Sequence, residues 1–302
     1  MQTSEMTAKI AEGNGFIAAL DQSGGSTPKA LRGYGVSDDE WSGDEEMFAK
    51  IHEMRSRIIT SPAFTGDKVI GAILFERTMN GEIDGKPVPG VLHDKGIVPF
   101  IKIDKGLEEQ ANGVQLMKPM PGLDDLLDHS RVLGMFGTKE RSVIHEPNRE
   151  GIAAIVAQQI EIGRQVLSHG LMPILEPETN IKGANRAECD TILVEELEKQ
   201  LSAMPGDEKV MLKLSIPVKP GHYDALVDHP RVLRVVALSG GYERPEACEE
   251  LAKNRGMIAS FSRALLQDLR ASMSDAEFDK SLGGAIDQIH AASTQKTASA
   301  SA

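Results

Sequence analysis

Charged residues recur in this chain where apolar runs stop or are interrupted. Asp21 follows Ala18-Ala19-Leu20, Glu76 follows Ile73-Leu74-Phe75, and Glu176 follows Ile174-Leu175. Lys102 lies between Ile101 and Ile103, and Lys213 is embedded in Val210-Met211-Leu212 and Leu214. Lys139 and Arg141 fall inside another run, and Ser239 and Arg263 close two more. A lysine in apolar surroundings suits imine formation with a carbonyl carbon, because only the neutral amine attacks. Its reference pKa near 10.4 must fall by roughly three units, about 4 kcal/mol, to be available at neutral pH. Desolvation supplies shifts of that size, and a second cation ~6 Å away adds about 3 kcal/mol of repulsion at an effective dielectric of ~20. Lys139 is the candidate neighbour of Lys213.

Imine chemistry also needs a carboxyl group that moves protons during dehydration. Glu176 fits, in a Glu176-Pro177-Glu178 segment stiffened by its proline. A separate carboxylate is needed to take a hydroxyl proton during carbon–carbon cleavage, and Asp21 is available for it. Two segments suit an anion: Ser239-Gly240-Gly241 and Ser23-Gly24-Gly25-Ser26 both place backbone N–H groups and hydroxyls after an apolar run. Gly-Gly alone more often marks a tight turn. The planar guanidinium of Arg263 tips the reading toward phosphate. The eight histidines show no His-x-His or HExxH spacing, and Cys189 and Cys248 are too few for a disulfide framework or a zinc site. No metal and no other cofactor is expected.

The elements that must position these groups are short apolar runs alternating with helical stripes. Residues 15–20, 69–75, 97–103, 135–144, 171–175, 210–216, 232–238 and 257–261 read as buried strands. Between them Met47, Ile51, Met54 and Ile58 form one helical stripe, and Ile152, Ile155, Val156, Ile160, Val166 and Leu167 another, with Gly170 as its C-terminal cap. Cys189, Ile192, Leu193, Leu197 and Leu201 mark a third helix, and Ser274 with Glu277 a capping box ahead of Phe278. Eight strand–helix alternations point to an α/β protein built as a single (β/α)₈ TIM barrel over residues 1–290, with 291–302 a small, polar, disordered tail. Strand alternation puts Phe100 with Lys102, Ile174 with Glu176, and Met211 with Lys213 on one face. If that face points inward, the charges meet at the C-terminal mouth.

Composition narrows the partners. Asp+Glu 45 against Lys+Arg 33 leaves a net charge of -12, which disfavours nucleic acid and anionic membrane surfaces. The N-terminus has no signal pattern and no apolar stretch approaches the ~20 residues of a membrane span, so a cytoplasmic location is expected. A homo-oligomer is compatible with all of this.

In these segments the chain resembles class I fructose-bisphosphate aldolase, the Schiff-base enzyme, in its shorter bacterial-type branch. The resemblance rests on Ala19-Leu20-Asp21-Gln22-Ser23, Ile73-Leu74-Phe75-Glu76, Ile101-Lys102-Ile103-Asp104-Lys105-Gly106, Lys139-Glu140-Arg141, Pro173-Ile174-Leu175-Glu176-Pro177-Glu178, Leu212-Lys213, Leu238-Ser239-Gly240-Gly241 and Phe261-Ser262-Arg263-Ala264-Leu265, in family order over residues 15–266. It implies metal-independent, reversible cleavage of fructose 1,6-bisphosphate to dihydroxyacetone phosphate and glyceraldehyde 3-phosphate, in glycolysis or gluconeogenesis. By resemblance Lys213 is the imine-forming lysine, Glu176 the acid/base, Asp21 the aspartate at the C4 hydroxyl and Lys139 the assisting lysine. Arg141 supports substrate binding, with Glu178 beside Glu176. Ser239, Gly240, Gly241 and Arg263 match one phosphate site, and Ser23, Ser26 and Lys102 match groups near the other. Lys213-Leu214-Ser215 stands where Lys-Pro-Asn is usual, Gln22 replaces a glutamate, and the chain ends Ala300-Ser301-Ala302 rather than in the tyrosine of animal and plant members. Two other readings are a glycosidase using Glu76 and Glu176, which leaves the lysines idle, and a sugar-phosphate-binding or scaffold protein without turnover.

Overall fold

Eight parallel strands form the centre of the molecule: β1 (Phe16–Leu20), β2 (Val69–Leu74), β3 (Val98–Lys102), β4 (Gly137–Ile144), β5 (Met172–Thr179), β6 (Val210–Ser215), β7 (Val232–Leu238) and β8 (Met257–Phe261). They come from a computed structural model that describes residues 1–297. Each strand pairs with its sequence neighbour, β1 also pairs with β8, and β3 with β4 completes the ring, so the sheet is a closed barrel wrapped by helices. The strand–helix alternation therefore gives the (β/α)₈ barrel expected of it.

Alternation along the strands sorts two cores. Ile17, Ala19, Val98, Phe100, Ile174, Met211, Val236 and Ile258 fill the barrel, while Phe16, Ala18, Leu20, Leu175, Leu212, Leu214 and Phe261 face the helices. Met6 and Ile10, from helix α1 (Thr3–Glu12), join the inner group, so the N-terminal end of the barrel is closed by apolar side chains. Phe100 meets Phe136 edge to face, with centroids 5.4 Å apart. Beside them Gly137 is required, since a Cβ there would lie 2.0 Å from the Met172 carbonyl oxygen and 3.0 Å from the Phe100 ring. The barrel is thus dry and packed below its C-terminal mouth.

The outer stripes form as their spacing predicts. Helix α2 (Gly43–Thr60) buries Met47, Ile51, Met54 and Ile58. Helix α3 (Arg149–Ser168) ends before Gly170, whose φ of 75° supplies the left-handed turn. The Ser274 box caps helix α4 (Asp275–Thr294), with the Ser274 hydroxyl accepting from the Glu277 N–H.

Two boundaries differ from the sequence reading. Strand β5 continues past Leu175 to Thr179, pairing Glu176 with Arg141 and Glu178 with Val143. Pro177 does not stop it because pairing with β6 occurs only at Ile174 and Leu175, so the missing N–H costs no ladder bond. Helix α4 also runs through Thr294, four residues into the segment expected to be a disordered tail. Ala292 and Ser293 are buried there, and the Ser293 hydroxyl accepts from the Ala259 N–H of β8. Residues 298–302 of that segment lie outside the described part. Among the described residues, no helix is long and apolar enough to cross a membrane.

Candidate active site

The inner-face charges sit one step above the apolar filling. Lys102 follows Phe100, Glu176 follows Ile174, and Lys213 follows Met211, each two residues further along its strand and therefore on the same face. Asp21 leaves the end of β1, and Lys139 lies opposite Lys102 across the β3–β4 closure. All of the candidate residues named from the sequence border one cavity of about 990 Å³ at the C-terminal mouth. That is where barrels of this type carry chemistry.

At its floor the charges alternate in sign. The Lys213 ammonium lies 3.0 Å from Glu176 Oε1, and the Lys139 ammonium lies 3.0 Å from Glu176 Oε2 and 2.7 Å from Asp21 Oδ2. Asp104 Oδ2 is 3.9 Å from Lys139, and Asp104 Oδ1 accepts from Lys102 at 2.7 Å. Three ammoniums and three carboxylates, all nearly removed from water, thus compensate one another. Burial alone would raise the Asp21 carboxyl, but Lys139, then Lys213 and Lys102, hold it well below the usual range. Glu176 is likewise raised by burial and lowered further by Lys139, Lys213 and Arg141. Burial works against the Lys139 charge, yet Asp21, Glu176 and Asp104 outweigh it and keep Lys139 protonated.

This arrangement corrects one expectation. Lys139 is not a bare cation pressing on Lys213, because its charge is already met by two carboxylates at contact distance. The partner of Lys213 is Glu176. Passing one proton across those 3.0 Å converts an ion pair into a neutral amine and a neutral acid, the pair of species that imine formation requires.

Anion-binding geometry lies around the rim. Ser239 closes β7, and Gly240 and Gly241 follow with φ of 60° and 122°. A Cβ on Gly240 would stand 2.6 Å from Ile181 Cγ2, so this turn needs glycine both for its φ and for its space. The Arg263 guanidinium passes close to Gly241 and makes no hydrogen bond or ion pair among the described residues. Two strands along the ring, after β1, residues 23–26 form a turn in which the Ser26 hydroxyl accepts from the Ser23 N–H and donates to the Ser23 carbonyl. Lys102, on the cavity wall, donates to the backbone and side chain of Asp104 at 2.7 Å each. Arg141 pairs with Glu178 at 2.5 Å. Glu76 is paired at 2.8 Å with Lys105 at the rim and makes no contact with Glu176 in the buried network.

Sequence reading did not single out several wall residues. Asp104 is two positions beyond Lys102, so strand spacing carried the signal; Lys29 follows Ser26 by three, the spacing of one helical face. Arg270 gave no such sign. Glu140 is another omission. On the face of β4 opposite Lys139 it is fully buried, and neither carboxyl oxygen has a hydrogen-bond partner. Burial, reinforced by Asp104, raises it well above the ordinary carboxyl range, which favours the protonated form. Among the described residues no group of three or more His, Cys, Asp or Glu side chains is arranged to hold a metal ion.

A family model, glycolytic fructose-bisphosphate aldolase class-I, matches residues 3–220. The fold is similar to that of a fructose-bisphosphate aldolase from Plasmodium falciparum, solved in complex with TRAP and a small-molecule inhibitor. That match has a TM-score of 0.77 at 18% identity and covers 98% of this chain and 96% of the other. Cgl0159 from Corynebacterium glutamicum is similar at a TM-score of 0.53 and 12% identity, over 97% of this chain and 92% of that one. At these identities the two likenesses concern the fold.

Proposed function

The chain belongs to the class-I fructose-bisphosphate aldolase family, and from that premise we propose that it cleaves fructose 1,6-bisphosphate reversibly through an imine on Lys213. The observation that carries the reading is the buried Lys213 ammonium inside the cavity, 3.0 Å from Glu176. Glu176 takes the ammonium proton, and the freed amine adds to the C2 carbonyl of the open-chain sugar. The same carboxyl then returns a proton to the C2 hydroxyl, which leaves as water. Asp21, ionised under the field of Lys139, removes the C4 hydroxyl proton. The C3–C4 electron pair flows into the imine, glyceraldehyde 3-phosphate departs, and an enamine remains. Protonation at C3 and hydrolysis release dihydroxyacetone phosphate and regenerate Lys213. Lys139 holds Asp21 and Glu176 in place and ionised.

Phosphate recognition follows from the rim. The turn of Ser239, Gly240 and Gly241 together with Arg263 takes one phosphate, and Ser23, Ser26 and Lys102 serve the other. The cavity wall carries eight cationic side chains (Lys29, Lys102, Lys105, Lys139, Arg141, Lys213, Arg263 and Arg270) against five acidic ones (Asp21, Glu76, Asp104, Glu176 and Glu178), in a chain of net charge -12. An anion is therefore drawn to this end of the molecule. Two anchored phosphates align the reacting carbons, so binding energy is converted into orientation. A role in glycolysis or gluconeogenesis, in the cytoplasm, accords with this reading.

The test is covalent trapping. With dihydroxyacetone phosphate and borohydride, intact mass should rise by one reduced adduct, peptide mapping should place it on Lys213, and Lys213→Met should abolish both adduct and turnover. An unmodified Lys213 peptide rejects the mechanism. Cleavage that survives a chelator separates this chemistry from a metal-dependent aldolase.

A further inference from the structure

Arg55, on helix α2, is fully buried, and its Nε has no hydrogen-bond partner. Nη1 donates to the Thr78 hydroxyl at 2.7 Å; Nη2 donates to the Gln22 carbonyl at 2.6 Å and to Gln22 Oε1 at 3.1 Å. Gln22 in turn donates through Nε2 to the Ser262 hydroxyl at 2.6 Å. One guanidinium thus ties together the segments that follow β1, β2 and β8.

Every one of those partners is neutral. Among the described residues no carboxylate forms an ion pair with Arg55, whereas buried charges in proteins are ordinarily paired. Burial lowers Arg55 to about 10, which leaves it charged at neutral pH, and the acidic group acting on it is Asp21. Asp21 is already engaged by Lys139 at 2.7 Å. The Arg55 charge is therefore left over. It lies against Gln22, the residue leading directly into the turn of residues 23–26 on the cavity wall.

We propose that Arg55 is a positioning residue of the anion site at residues 23–26. Gln22 anchors the turn to it, and its uncompensated charge attracts the substrate phosphate that binds there. The inference rests on the reading of that turn as a phosphate site.

The decisive variant is Gln22→Glu, which sets a carboxylate against the guanidinium without changing side-chain length. Inorganic phosphate, titrated calorimetrically, should bind about fivefold more weakly, the effect of cancelling one buried charge behind the turn. KM for fructose 1,6-bisphosphate should rise in step while kcat changes less, and the thermal midpoint should not fall, because the buried cation gains a partner. Arg55→Lys keeps the charge but loses the fork, so it should weaken phosphate less than Gln22→Glu even though it melts lower.

Unchanged phosphate affinity and KM in Gln22→Glu would overturn the inference, as would the reverse ranking of the two variants. A Gln22→Glu chain that does not fold would also overturn it, since a guanidinium that rejects a carboxylate is not lacking one. The outcome is separable from the aldolase reading. Phosphate weakening without an adduct on Lys213 leaves this inference standing and that reading refuted; an adduct with unmoved phosphate binding does the opposite.

Discussion

Replacing Lys139 by Met removes the cation that lies 2.7 Å from Asp21 and 3.0 Å from Glu176. At an effective dielectric of ~20, those contacts represent about 6 and about 5.5 kcal/mol of Coulomb attraction. Relief of the buried lysine's desolvation offsets much of this, and the net loss expected for breaking a buried pair is about 3–5 kcal/mol. The pH dependence is the sharper signature. In the wild type both carboxyls are held below their ordinary values, so their stabilisation is complete above about pH 5 and is lost only as acid titrates the folded form. In Lys139→Met burial dominates at Asp21, whose nearest cation is gone, while Glu176 keeps Lys213. Asp21 then takes up a proton on folding, so the variant gains stability as pH falls, at about 1.4 kcal/mol per unit. Urea midpoints read by circular dichroism at pH 5, 6, 7 and 8 should show the deficit shrinking by roughly 2–3 kcal/mol between pH 7 and pH 5. A deficit that stays constant across that range, or a variant more stable than wild type at pH 8, refutes the electrostatic account of this network.

Glu140 gives the opposite sign on its own. A carboxyl whose folded value is raised binds its proton in the folded state, so stability falls as pH rises above about 4.5 toward that value. Glu140→Gln removes this slope and should gain as much as roughly 3 kcal/mol at pH 7, with urea unfolding as the check; an unaltered slope would show that Glu140 is ionised in place. Gly240→Ala puts a Cβ 2.6 Å from Ile181 at a φ of 60°. Steady-state kinetics should then show KM for the bisphosphate raised about tenfold with kcat less affected, and an unchanged KM would detach this turn from phosphate binding.

What could be read from the sequence was whatever short-range periodicity fixes. The apolar runs and helical stripes required alternating strands and helices, because each must bury one face or both. Strand alternation alone put Lys102, Glu176 and Lys213 on the same side as Phe100, Ile174 and Met211, and the dry barrel interior confirms that side as inward. The extension of β5 through Pro177 was not legible, since it depends on whether a neighbouring strand claims the missing N–H.

Only the closed barrel decided which charges touch. Asp21, just past β1, and Lys139, Glu176 and Lys213, within three other strands, are spread over nearly two hundred residues, and nothing local states that Glu176 lies between two ammoniums. The same holds for Arg55 and Glu140, both deeply buried on elements whose sequence reads as ordinary helix or strand. Pattern specifies where a side chain points, because its period is a property of the backbone. Pairing of charge is set by distances that exist only after the ring closes, and those distances determine which protons are held and which can move.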